Sequence, residues 1–206
     1  MGILSSSVSL TRYRVAHNVP DDFWAEVPDR LKKNQFRDID QSAEERSFGW
    51  TSFDDMLDTN WTLSTPHKAQ YLVFALRLDT RRIPPAVMKK HLRLALDLAK
   101  EELGEKGQKF VSRDQKKEIK DSVRSRLLAR TLPIPAIFDV IWDTSANMVY
   151  LASTSPKVKE LFVDQFAITF ELHLEPRTPY FMALPGMDQD RKRQLEELDP
   201  AVFARP

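Results

Sequence analysis

Through SVSLTRYRV (Ser7 to Val15) the side chains alternate, with Val8, Leu10, Arg12 and Arg14 on one side of an extended chain and Ser9, Thr11, Tyr13 and Val15 on the other, which predicts a strand. After Pro20 the period lengthens to about four. Phe23, Val27 and Leu31 recur at i, i+4, i+8, and Asp21 and Asp22 suit the positive end of a helix, with Pro28 placed to kink or end it. From Gln35 to Thr65 the chain is polar with scattered aromatics (Phe48, Trp50, Phe53, Trp61) and reads as loops and short strands. AQYLVFALRLD (Ala69 to Asp79) is apolar enough for a central strand, and the prolines of RRIPP stop it.

Pro85 fits the first turn of a helix running to about Lys106, with Met88, Leu92, Ala95 or Leu96, Ala99 and Leu103 on one face and Gly104 and Gly107 marking its end. Ser112, with Gln115 three residues later, makes a capping-box pattern opening a second helix, RDQKKEIKDSVRSRLL, whose apolar stripe is Ile119, Val123 and Leu127, widened by Leu128. Pro133 and Pro135 end it. Two such helices joined by a short polar loop predict an antiparallel hairpin. IFDVIWDTSANMVYLAS (Ile137 to Ser153) reads as a β-hairpin turning at DTSAN, Ser155 and Pro156 start a helix through about Phe166, and ITFELHLEP (Ile168 to Pro176) alternates like a half-buried strand. A short helix at DRKRQLEEL and a loose end at DPAVFARP close the chain.

The expected class is α+β: mixed or antiparallel sheets with packed helices and a long inserted basic helical hairpin. Residues 1–80 form an N-terminal α+β part, 81–135 the hairpin arm, 136–180 a ββαβ part completing the core, and 181–206 a charged tail.

Charge sharpens this picture. The 206 residues carry a formal net charge of +1, yet residues 81–130 hold fifteen Lys/Arg against seven Asp/Glu, while 1–80 hold nine against twelve and 131–206 hold seven against eleven. The middle is therefore +8 between acidic flanks, a distribution that points to a polyanionic partner. No cysteine is present, which removes disulfides and thiolate metal sites and fits a reducing compartment, so a cytoplasmic location is expected. The start, MGILSSSVSLTRYR, lacks a secretory pattern and no window suits a membrane span; Gly2 with Ser6 matches only the permissive myristoylation pattern.

Signatures of catalysis are sparse. His17, His67, His91 and His173 share no metal-ligand spacing, and HExxH, GxSxG, the P-loop and GxGxxG are all missing. Asp139 and Asp143 are the best carboxylate pair for a metal-dependent nuclease, but Asp143 opens a turn, where aspartate serves local hydrogen bonding, so the structural role is favoured. No cofactor is expected. The cations are more informative. On a helix Arg113, Lys117, Lys120 and Arg124 fall in one stripe flanked by Lys116, and Lys89, Arg93 and Lys100, with Lys90 beside them, add to it from the preceding helix. Such a surface binds phosphates without reading bases. The same hairpin would also serve as an interaction module docking an acidic partner or a second copy through its apolar stripe.

The run from IPPAVMKKHLRLALDLAKEELGEKGQKFVSRDQKKEIKDSVRSRLLARTLP through FDVIWDTSANMVYLASTSPKVKELF, with FGW (Phe48 to Trp50) upstream, resembles the RdgC family of recombination-associated DNA-binding proteins over residues 8–175. The resemblance implies a homodimer closing around duplex DNA without sequence preference, acting on recombinase indirectly through DNA, in the cytoplasm at the nucleoid and without membrane partners. Lys89 matches the helix-opening lysine, and Lys116, Lys117, Lys120 and Arg124 match the arm's basic second helix. The family's label of exonuclease finds no motif here. Members continue well beyond the strand ending near Pro176, whereas this sequence is shortened at the C-terminus, and Leu132 stands where an aromatic is expected at the arm's end.

Overall fold

The computed structural model describes residues 2–16, 19–20, 22–42, 44–105 and 110–199. His17, Asp21, Lys106, Gly107 and the end of the tail from residue 200, all named above, lie outside them. The described residues form β1 (Thr11–Val15), α1 (Phe23–Lys33), β2 (Arg46–Thr51), β3 (His67–Lys68), β4 (Tyr71–Thr80), α2 (Pro85–Glu105), α3 (Arg113–Leu128), β5 (Ile134–Asp143), β6 (Met148–Leu151), α4 (Pro156–Phe170), β7 (Leu174–Pro176), α5 (Pro179–Ala183) and α6 (Gln189–Glu196). The strands make one sheet in the order β2-β4-β5-β6-β1-β7, with β3 paired to β4. The pairs β1–β6, β1–β7, β3–β4 and β5–β6 are antiparallel, and the class is α+β, as expected.

The chain divides into two compact units: Met1–Gln35 with Trp50–Leu76 and Phe138–Pro206, and Phe36–Gly49 with Arg77–Ile137. The first has an aromatic core. Phe162, Phe166 and Phe170 recur every four residues along α4 and put successive rings 5.8 and 4.7 Å apart. Trp142 meets Phe166 and Phe170 at 5.1 and 5.4 Å, and Trp50 meets Phe74 at 5.1 Å while its indole N–H donates to Thr169 Oγ1 at 2.7 Å. Phe23, Val27 and Leu31 of α1 are buried where their spacing placed them, and α1 continues through Pro28 to Lys33. β5 and β6 form the expected hairpin around Thr144–Asn147, with Asn147 in the left-handed region (φ 52°).

Two sequence expectations are corrected. The strand expected over Ser7 to Val15 begins only at Thr11. ITFELHLEP is not a strand from Ile168: residues 168–170 complete α4, and only Leu174–Pro176 is extended. The alternation of Ile168 and Phe170 was outweighed by the Phe162–Phe166–Phe170 period, which buries Phe170 in the core and leaves Ile168 facing solvent. The helix stops at Glu171, in the left-handed conformation (φ 59°).

In the second unit Phe36, Ile39, Val111, Val123, Leu127 and Leu128 are buried, together with the charged Arg77, Asp79 and Arg81. Val123, Leu127 and Leu128 belong to the stripe expected on α3. Its capping box is formed: Ser112 Oγ accepts from Gln115 N at 3.2 Å, and Gln115 Oε1 accepts from Ser112 N at 2.9 Å. Ser112→Ala removes one of these bonds and should lower the unfolding free energy by about 1 kcal/mol. A urea midpoint identical to that of the parent protein would mean the cap contributes nothing.

Candidate nucleic-acid interface

Consecutive helices α2 and α3 pack against each other, with Ala95 of α2 facing Ile119, Ser122 and Val123 of α3 around one pocket. The positions expected to face inward on α2 (Met88, Leu92, Ala95, Leu96 and Ala99) are half-buried, whereas the next ones round the helix, Leu94 and Leu98, are 52% and 61% exposed. With Val87 they form a second apolar line at spacings of seven and four.

All nine cations singled out above are exposed. They fall into two groups. Lys100 Nζ lies 3.2 Å and Arg93 Nε 3.8 Å from the same carboxylate, Asp97, and Arg124 Nη2 donates to Glu45 Oε2 at 2.7 Å. Among the described residues Lys89, Lys90, Arg113, Lys116, Lys117 and Lys120 have no carboxylate within ion-pair distance. Exposed pairs such as those of Arg93 and Lys100 are worth little in water, so a polyanion displaces them readily. From Arg113 to Arg124 the stripe runs roughly 16 Å along the helix axis, a length over which duplex DNA carries about nine charges.

Sequence reasoning missed Arg81. It appears there only as part of the strand-ending RRIPP, yet it is buried beside α3 and gives its guanidinium to three carbonyls, those of Ile39, Asp40 and Leu128. Nothing in the local pattern separates it from the exposed Arg82; only the packing of Phe36–Gly49 does.

Both carboxylates weighed for metal chemistry accept hydrogen bonds from nearby groups. Asp143 Oδ1 accepts from Ser145 Oγ at 2.6 Å and from the amides of Ser145 and Ala146 at 3.0 Å, and these bonds, the hydroxyl's first, hold its carboxyl below the usual range. Asp139 Oδ2, four residues earlier on the same strand, accepts from Ile3 N at 2.6 Å. Among the described residues no group of three or more His, Asp or Glu side chains could hold a metal ion, and no helix is long and apolar enough to cross a membrane.

Comparison with known proteins gives one family. The model described as "Putative exonuclease, RdgC" matches residues 9–178, most of the chain. No curated protein matches it.

Proposed function

This chain belongs to the RdgC family of recombination-associated DNA-binding proteins, and from that premise we propose that it binds duplex DNA without sequence preference by setting phosphates against the exposed cations of α2 and α3. The observation that carries the reading is the set Lys89, Lys90, Arg113, Lys116, Lys117 and Lys120: exposed ammonium and guanidinium groups on two packed helices, with no carboxylate of the described residues close enough to neutralise them. Contacts of this type supply affinity through counterion release and leave base edges unread. The reading includes a homodimer at the nucleoid in the cytoplasm, influencing recombinase through the DNA they share. Lys100, Arg93 and Arg124, each with a carboxylate nearby, extend the surface.

The test is the anisotropy of a labelled random-sequence duplex between about 50 and 200 mM salt. Affinity should fall steeply with salt, and Lys89→Glu with Lys117→Glu should weaken binding roughly tenfold to a hundredfold and flatten the salt slope by about two. Affinity indifferent to both salt and substitution removes the proposal. A second reading, self-association through the arm, is favoured by the exposure of Leu94 and Leu98. Under that reading polar substitutions there lower the molar mass by light scattering and Lys89→Glu with Lys117→Glu leaves it unchanged; under the first, the lysine substitutions are the ones that weaken duplex binding.

A further inference from the structure

Beside the exposed stripe lies a pocket of about 300 Å³ whose walls include Arg81, Lys120, Arg124 and Glu45, closed by the apolar Met88 and Leu128. Arg81 is 5% exposed. Its Nη2 donates to Ile39 O at 2.7 Å and Asp40 O at 3.1 Å, and its Nη1 to Leu128 O at 3.3 Å, but its buried Nε–H has no acceptor. Among the described residues no carboxylate lies within ion-pair distance of it. A buried guanidinium is ordinarily paired, because its desolvation is otherwise uncompensated. Here the carbonyl at the C-terminal end of α3 offsets only part of the charge.

Lys120 and Arg124 stand one helical turn apart on α3, so both reach the same opening. The sole carboxylate of the lining is Glu45, whose backbone carbonyl accepts from Arg81 N at 2.9 Å while its side chain takes Arg124 at 2.7 Å. The lining thus sets three cationic residues against one carboxylate, which pairs with Arg124 alone. That contact is half-exposed at both partners, the kind of pair that contributes little in water and gives way to a better anion. A phosphate group is such an anion: it brings more charge, matches the fork of Arg124, and has oxygens to spare for Lys120, beside the buried charge of Arg81.

We propose that this pocket is a phosphate-group site, in which Lys120 and Arg124 hold the anion, the buried charge of Arg81 attracts it, and Glu45 competes with it for Arg124. For a phosphate carried on DNA the proposal rests on the reading above; for free phosphate it stands independently.

Calorimetric titration with inorganic phosphate tests the pocket directly. The parent protein should bind it saturably, Glu45→Gln should bind two- to fivefold tighter, roughly the worth of an exposed pair, and Arg124→Ala about tenfold weaker. Both residues are exposed, so neither substitution threatens the fold. A parallel arm compares 5′-phosphorylated with 5′-hydroxyl duplexes: an advantage of the phosphorylated ends that Arg124→Ala abolishes assigns the site to a terminal phosphate, and equal affinities that both follow Glu45→Gln assign it to the backbone. Absence of saturable phosphate binding in both the parent and Glu45→Gln proteins overturns the proposal, as does a Glu45→Gln protein that binds phosphate no tighter. If duplex affinity then still depends on Lys89 and Lys117, DNA binding survives the loss of the pocket. If no duplex is bound while phosphate follows Glu45 and Arg124, the pocket survives the loss of DNA binding.

Discussion

Replacing Trp50 by alanine is expected to lower the unfolding free energy by about 3–5 kcal/mol. The side chain is fully buried, its ring lies 5.1 Å from Phe74, 6.1 Å from Phe162 and 6.3 Å from Phe170, and its N–H is satisfied by Thr169. Alanine leaves a cavity among rings on a strand and a helix, both anchored by other contacts, so collapse to fill it is limited. Trp50→Phe keeps most of the ring volume and loses the bond to Thr169, whose hydroxyl still donates to Gln165 O. It should therefore cost much less, on the order of 1–2 kcal/mol. Urea denaturation followed by far-ultraviolet circular dichroism measures both; equal losses for the two would show that the indole N–H, not the ring, carries the stability.

An effect of similar size is expected in the second unit. Arg77 and Asp79, two residues apart on β4, point the same way and form a bidentate pair, Nε to Oδ1 and Nη2 to Oδ2, each at 2.8 Å, with side chains 8% and 3% exposed. The guanidinium also stacks on Phe36 at 4.1 Å, and its bonds to Asp79 push its pKa up against the opposing effect of burial. Asp79→Ala removes the bidentate carboxylate from that buried cation, a change expected to cost about 3–5 kcal/mol. Replacing both partners by apolar residues of similar volume, as in Arg77→Met with Asp79→Leu, should be far milder, because no charge is left to desolvate. Denaturation midpoints of the single and double variants decide the matter: a double variant as unstable as Asp79→Ala would locate the stability in packing on Phe36 instead of in the pair.

The helices of the candidate interface were legible because every local rule there agrees: Pro85 at a first turn, a capping box at Ser112, and the Val123–Leu127 spacing all define α2 and α3 without outside contacts. The same holds for the Asp143 turn. What local pattern could not give was anything decided by distant partners. Trp50 looks like one aromatic among several in a polar stretch until Phe74 and α4 meet it. Ile168–Phe170 satisfies a period of two and a period of four at once, and only the ring cluster around Phe170 selects the second. Arg81 and Arg82 are indistinguishable neighbours until the carbonyls of Ile39 and Asp40 arrive from some forty residues upstream to claim one of them.

The division of the chain also has an optical consequence. All four tryptophans (Trp24, Trp50, Trp61, Trp142) and all four tyrosines (Tyr13, Tyr71, Tyr150, Tyr180) lie in the unit built from Met1–Gln35, Trp50–Leu76 and Phe138–Pro206. Intrinsic fluorescence is therefore a reporter of that unit and blind to the one carrying α2 and α3. Emission and helix dichroism, recorded on one sample, separate the melting of the two units without any label, and a change in emission on adding DNA would measure how far the event at the cationic helices travels.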